Sequence, residues 1–309
     1  MKNKILVTGS IAYDYLYSFP GLFQDSLDPT AAHISVAFDI NEKKIFYGGC
    51  AANILYTGAQ LGDGFIMLGV AGRDYTEYED YLAKQNIGSR YVVRREDKYT
   101  SQAAIVTDKK GQQITFFYLG AAADSEPDEV AMGAHIDTLA AEAMLGIVAP
   151  NGKGFMRIAV EKFRQHAIPY IFDPGQATPI FSGDELRDYA ASSLGMIMNE
   201  YEAGLVQKQS GMDFNALKKI APFVVITLGE KGAHLFFDGK LYEIEGAKGV
   251  EVVDPTGCGD AFRAGLLHEL SNTSSANIES LNAELLITAC KKGTELAARC
   301  LSKVGTQNH

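Results

Sequence analysis

Short, continuous apolar runs separated by stretches of helical period dominate the chain. From Ala143 onward, strands predicted at 145–149, 170–173, 196–199 and 224–228 alternate with helices near 153–166, 184–192 and from Glu200. Runs that are apolar on both faces are what parallel strands become when helices cover both sides of their sheet. Residues 4–7 and 65–70 read as two further strands of this kind, and 77–85 as a polar helix. Another helix opens at Gly48-Gly49, with Ile54, Gly58 and Leu61 on its apolar side, and 284–301 reads as a long covering helix. Such alternation predicts an α/β fold, a doubly wound, mostly parallel sheet flanked by helices.

Two stretches break this pattern. Residues 33–40 place Ile34, Val36, Phe38 and Ile40 on one face of a predicted half-exposed strand. Ala103, Ile105 and the run 114–119, on either side of Lys109-Lys110-Gly111, read as a hairpin. Together they predict a small β-sheet lid formed by 15–47 and 91–121, set on a large domain formed by 1–14, 48–90 and 122–309.

Polar and glycine residues recur where the predicted parallel strands end, and those ends share one edge of the sheet. They are Thr8-Gly9-Ser10, Pro150-Asn151-Gly152, Asp173-Pro174-Gly175-Gln176, Asn199-Glu200-Tyr201-Glu202, and Thr227 with Gly229 and Gly232. Asp14 follows the first group, as a turn cap or as a ligand to something bound there. Gly48 and Gly49 let a ligand approach the backbone, and the Asn53 carboxamide has both donor and acceptor for a pair of sugar hydroxyls. Asn199 and Glu202 read either as a helix start or as a site for hydrated Mg²⁺.

The stretch 254–265, Asp-Pro-Thr-Gly-Cys-Gly-Asp-Ala-Phe-Arg-Ala-Gly, is the most informative. Residues 249–253 before it read as a short extended run, and Phe262, Leu266 and Leu270 after it recur at helical spacing. The helix therefore starts inside the glycines. Gly257, Cys258 and Gly259 can turn backbone N–H groups toward one point, where the helix dipole adds positive charge and creates an anion hole. Asp260 on its rim has the position of a base that takes a hydroxyl proton during phosphoryl transfer. A tight strand-to-helix turn ending in an N-terminal acid accounts for the same residues without chemistry. Cys258, in the first helical turn, is a candidate reactive thiol.

Composition narrows the partners. A net charge of −10 disfavours nucleic acid and anionic membranes, and no apolar run approaches membrane-spanning length. The four cysteines, at 50, 258, 290 and 300, contain no Cys-x-x-Cys pair, so reduced thiols and a cytoplasmic setting are expected.

The stretch 254–260 also resembles the Asp-x-x-Gly-x-Gly-Asp signature of the ribokinase-like (PfkB) carbohydrate and nucleoside kinases, and further motifs follow in family order from Thr8 to about Gly305. Within that family the chain looks most like bacterial adenosine kinases of the mycobacterial kind. The likeness rests on 7–12 with Asp14, Phe19-Pro20-Gly21, Phe117-Tyr118 before Gly120-Ala121, Asp173-Pro174 with Gln176, Ser182-Gly183, and Asn199 with Tyr201-Glu202. It implies ATP-dependent phosphorylation of the 5′-hydroxyl of a purine nucleoside, adenosine first, in purine salvage. By the same resemblance Ser10, Asp14, Gly48, Gly49 and Asn53 bind the ribose, while Phe117 and Gln176 place the base. Asn199, Thr227, Gly229, Gly232 and Thr256 line the ATP site, and Glu202 with Asn199 organises Mg²⁺. Asp260 is the base beside the hole formed by 257–259. K⁺ is a further candidate cofactor, and pairing of two lids implies a homodimer. Ala37, Ala103 and Ala122 depart from the mycobacterial pattern and imply a differently packed base pocket, and the lid sequence 113–122 is similar to archaeal nucleoside kinases of broader specificity. A kinase for ribose or a fructose derivative, and a silent nucleoside-binding protein, are the alternatives.

Overall fold

The computed structural model describes residues 3–26, 36–62, 64–272 and 278–309. Its strands in chain order are β1 (Lys4–Thr8), β2 (Ala12–Ser18), β3 (Glu42–Gly48), β4 (Phe65–Gly72), β5 (Val92–Arg95), β6 (Ser101–Thr107), β7 (Gln113–Tyr118), β8 (Ala143–Val148), β9 (Tyr170–Phe172), β10 (Gly195–Asn199), β11 (Phe223–Thr227), β12 (Gly232–Phe237) and β13 (Lys240–Glu245). Nine of them form one sheet in the order β13-β12-β11-β10-β9-β8-β1-β4-β5, parallel except for the antiparallel edge β11-β12-β13. The strand order reverses between β1 and β8, and a crevice outside the carboxyl ends of the strands is expected at such a switch point.

Alternate residues of each strand feed two cores. On one face Val7, Ile147, Ile197 and Val225 pack beneath the helices Cys50–Ala59, Thr76–Lys84, Cys258–Ser271 and Ala283–Leu301. On the other, Leu6, Val148, Phe172, Met196 and Val224 pack beneath Glu126–Leu139, Lys153–Gln165, Gly183–Ala191 and Glu200–Ser210. The doubly wound sheet expected from the apolar runs is thus what forms.

The lid is a second sheet, β3-β2-β6-β7, with antiparallel outer pairs and a parallel central pair. The hairpin around Lys109-Lys110-Gly111 is β6 and β7. The extended run at 33–40 is corrected in its described part: 36–40 is irregular, and the strand lies at Glu42–Gly48. Phe38 is held instead by the rings of Phe19 and Phe23, with centroids 5.0 and 5.3 Å away. Residues 33–35 lie outside the described residues. Asp14 sits in the middle of β2 rather than in a turn. The run 249–253 is not extended in a ladder either. Among the described residues it has no strand beside it, and the Val253 and Asp254 N–H groups both donate to the Leu301 carbonyl at the end of the covering helix.

That covering helix fixes the anion-hole helix. Gly265 and Gly293 face each other where Cys258–Ser271 crosses Ala283–Leu301, and a Cβ on Gly265 would lie 2.8 Å from the Gly293 nitrogen. Gly265→Ala is expected to push the helices apart and destabilise the protein by about 1–3 kcal/mol. Urea unfolding measures this, and an unchanged midpoint would mean that the crossing tolerates a methyl group.

Candidate functional site

Every polar cluster predicted at a strand end lies on the carboxyl edge of the sheet. Asp260 lies in the first turn of Cys258–Ser271, behind Gly257, which caps that helix at φ 80°, a left-handed conformation suited to glycine. The first-turn N–H groups of this helix lack intrahelical partners, and that of Cys258 donates to the Pro255 carbonyl at 3.4 Å. The Asp260 Oδ2 accepts a 2.8 Å hydrogen bond from Asn53 Nδ2. Burial raises the pKa of Asp260 above the usual carboxylate range, while Arg263 and the Asn53 hydrogen bond pull it back.

Arg263, one turn further along, is buried with Asp173, which follows β9. Its Nε and Nη2 both donate to the Asp173 carboxylate, the latter at 2.8 Å. Burial opposes the guanidinium charge, but Asp173 and then Asp260 more than offset it and hold Arg263 protonated. This pair was not singled out from the sequence. Its only local signal was an arginine one turn beyond Asp260.

Ser10, Gly49 and Asn53 join β1 to the helix Cys50–Ala59. Ser10 Oγ accepts from the Cys50 N–H at 3.0 Å. Gly49 has φ 94°, and a Cβ there would come within 2.6 Å of the Ser10 carbonyl oxygen, so close backbone approach requires glycine. Gly48 makes room for Asp14, whose Oδ2 would be 2.4 Å from a Cβ at that position. Burial, and then the charge of Asp254, raise the pKa of Asp14 to about 6. Asn53 is 5% exposed and does not project into solvent. Its Nδ2 reaches Asp260, while its Oδ1 lies 2.8 Å from Thr306 Oγ1 and 2.9 Å from Gln307 Nε2. Thr306 and Gln307, distant in sequence and unremarkable in composition, were missed.

Across the lid, Phe46, Asp14, Ala103 and Phe117 are register partners in a single row, so they stand on one face. That face meets Gly48 through Asp14 and Gly305 through Phe46. Phe117 is 59% exposed, an aromatic face with nothing stacked on it among the described residues. Ala122 is buried, whereas Ala37 is exposed. Gln176, also exposed, lies beside Cys50, 3.8 Å from its Sγ.

At the end of β10, Asn199 and Glu202 form a reciprocal capping box. Asn199 Oδ1 accepts from the Glu202 N–H, and Glu202 Oε2 from the Asn199 N–H, both at 2.8 Å. The helix-start reading is therefore realised, with Glu202 Oε1 outside the cap. Thr227 ends β11, and Gly229 at φ 61° has open space where a Cβ would be. Gly232 differs: a Cβ there would lie 2.0 Å from the Ile244 carbonyl oxygen, so its bareness serves the contact with β13 rather than a ligand. Thr256 N–H donates to Asp254 Oδ1 at 2.9 Å and holds the turn before the anion hole.

A family model described as pfkB family carbohydrate kinase matches residues 24–309. The chain is 29% identical over 274 residues to a nucleoside kinase of Methanocaldococcus jannaschii, covering 86% of this chain and 82% of that one. It superposes on the structure of the Burkholderia thailandensis nucleoside kinase in complex with inosine with a TM-score of 0.81 and 32% identity, covering 98% of this chain and 92% of the other. The complex of that enzyme with ADP-inosine gives 0.78 at the same identity, over 98% and 91% of the two chains. These relatives are nucleoside kinases, and one of them is archaeal.

Among the thiols, Cys258 stands apart. The neighbouring Cys300 thiol lowers its pKa against the opposing effects of burial, Asp254 and Asp260. Burial raises Cys50 and pushes Cys290 up to about 12, and Cys258 with burial raises Cys300. Iodoacetamide at pH 7.5 is therefore expected to label Cys258 first, as read by peptide mass spectrometry, and Cys258→Ala to resist inactivation. Equal loss of activity in that variant would assign the reactive thiol elsewhere.

Proposed function

Because the chain belongs to the PfkB family of carbohydrate kinases, we propose that it transfers the terminal phosphoryl group of ATP to the 5′-hydroxyl of purine nucleosides, adenosine among them. The observation that carries this reading is the lid row Phe46-Asp14-Ala103-Phe117, which sets a carboxylate between aromatic faces on the side that meets Gly48 and Gly305. A free sugar has hydroxyls for Asp14 but nothing for Phe117; a nucleoside has both. The small Ala103 in that row leaves room for more than one base and favours broad purine specificity. The similarity to an enzyme crystallised with inosine supports the same reading.

In this mechanism Asp14, Ser10 and the backbone at Gly48-Gly49 bind the ribose, and Phe117 with Gln176 places the base. Asp260 takes the proton of the 5′-hydroxyl as that oxygen bonds to the γ-phosphorus and the bond to the ADP oxygen breaks. Its raised pKa brings the carboxylate nearer neutrality, where a base is most effective. The N–H groups of 257–259 and the protonated Arg263 behind them face the charge that accumulates on the transferred group. Thr227, Gly229 and Thr256 border the phosphates and ribose of ATP. A single carboxylate completed by water and phosphate oxygens is a donor set that suits Mg²⁺, and the Oε1 of Glu202 left outside the cap, beside Asn199, fits it. When bound, Mg²⁺ would screen the phosphate charge.

Asp260→Asn should lower turnover roughly 10²–10⁴-fold with little change in nucleoside binding. ADP release is to be followed with adenosine, inosine, guanosine, cytidine, ribose and fructose 6-phosphate as acceptors. Near wild-type turnover in the variant would remove Asp260 from its role, and a strong preference for ribose over every nucleoside would make the protein a sugar kinase.

We also infer a homodimer through the lid. On the face opposite Asp14, Ile45, Ala104 and Phe116 form a row, with Ile45 and Phe116 53% and 67% exposed. A four-stranded sheet with this much apolar surface suits a second copy of the chain. Light scattering should give twice the monomer mass at micromolar concentration, and Phe116→Lys should return the monomer.

A further inference from the structure

Thr306 and Gln307 are 2% and 3% exposed, yet neither has a part in the reaction just described. Both converge on the oxygen of one carboxamide, Asn53 Oδ1. Gln307 is the firmer of the two. One of its amide hydrogens goes to Asn53 and the other to the Tyr78 oxygen at 2.5 Å, while the Tyr78 hydroxyl donates to the Gly48 carbonyl at 2.9 Å. The Gln307 backbone carbonyl in turn accepts from the Tyr81 hydroxyl at 2.7 Å. The Thr306 hydroxyl lies 2.8 Å from Asn53 Oδ1 and 2.9 Å from the Tyr47 carbonyl, and its Cβ lies where a Cβ on Gly257 would be 2.8 Å away. The Gly305 N–H donates to Asp254 Oδ2 at 2.9 Å.

A carboxamide whose oxygen is surrounded by donors has only its nitrogen left for a partner on the opposite side. Here that partner is Asp260. Were Asn53 to flip, its oxygen would face a carboxylate and its nitrogen would face the Gln307 donor, so both contacts would be lost together. Resting on the reading of Asp260 as the base, we propose that Gln307 and Thr306 are positioning residues that hold the Asn53 carboxamide with its N–H on Asp260, and so set both the place and the ionisation of the base.

The other charged or titratable groups facing Asp260 are Arg263, Glu202, Asp14 and Asp173, together with the thiols of Cys50, Cys258 and Cys300. Arg263 favours the carboxylate, and Glu202 and Asp14 oppose it. Asn53 is the neutral donor in this set, and its N–H favours the ionised form. Without that hydrogen bond Asp260 holds its proton more tightly, and the acidic limb of the kcat/KM profile moves to higher pH.

The test compares wild type with Gln307→Met, which keeps the shape and removes the donor, with Thr306→Val, and with Thr306→Ser as the conservative rescue. Each folded variant is read in two ways: the pH profile of kcat/KM, and the titration of the Asp260 carboxyl by ¹³C NMR with Asp260→Asn as the assignment control. Gln307→Met is expected to raise the Asp260 pKa, and with it the acidic limb, by about one unit, the size of a lost hydrogen bond to a charged group. Thr306→Val should move both the same way by less, and Thr306→Ser should match wild type. If the Gln307 variant does not fold, Thr306→Val still carries the test. An unmoved Asp260 titration in the folded variants overturns the positioning role. A wild type that phosphorylates none of the acceptors overturns the kinase reading instead, and the NMR titration still decides the positioning.

Discussion

A buried guanidinium underlies the reactive end of this molecule. Arg263 leaves water only because Asp173 meets it with two hydrogen bonds, and that pairing ties the anion-hole helix to the carboxyl end of β9. Removing one member of such a pair leaves an uncompensated buried charge, which typically costs about 3–5 kcal/mol. The same cation lies one helical turn from Asp260 and favours its ionised form. One side chain therefore anchors the helix and sets the electrostatics of its first turn.

The remaining constraints on Asp260 come from segments that meet only in space. The helix after Gly49 brings Asn53 to it, and the segment 305–307 buttresses Asn53, Gly257 and the Asp254 turn at once. Glycines stand where these segments touch most closely: Gly49 against the Ser10 carbonyl, Gly257 against Thr306, and Gly259, where a Cβ would be 2.7 Å from Arg263 Nη1. The backbone can approach this tightly only where no side chain intervenes.

The lid adds a different kind of order. Because side chains alternate along a strand, one register places Phe46, Asp14, Ala103 and Phe117 toward the site and turns Tyr15, Ile45, Ala104 and Phe116 away from it. Near the main sheet the outward face is covered by tyrosines, with Tyr47 stacked on Tyr81 at 4.4 Å between centroids and Tyr13 packed on Tyr78 at 5.6 Å. Farther out it is bare. A single slip in register would exchange the two faces, so both are set by the same strand pairing.

Much of this was legible in the chain itself. Long apolar runs of the kind at 145–149 and 224–228 can be satisfied only by burial on both faces, so a helix-covered parallel sheet follows from local pattern alone. The glycines of 254–260 determine a tight turn into a helix N-terminus through backbone chemistry that needs no distant partner. The two misplaced strands show where that kind of reading stops. Among the described residues, 36–40 have apolar alternation but no strand beside them, and 249–253 is held by one carbonyl at the end of a helix, so pairing rather than pattern decided both. Asn53 read as a donor and acceptor for sugar hydroxyls because nothing near it in sequence could occupy its carboxamide. Only the tertiary structure brings Gln307, Thr306 and Asp260 around it, and likewise joins Arg263 to Asp173, because hydrogen bonds between residues far apart in the chain leave no periodic trace in it.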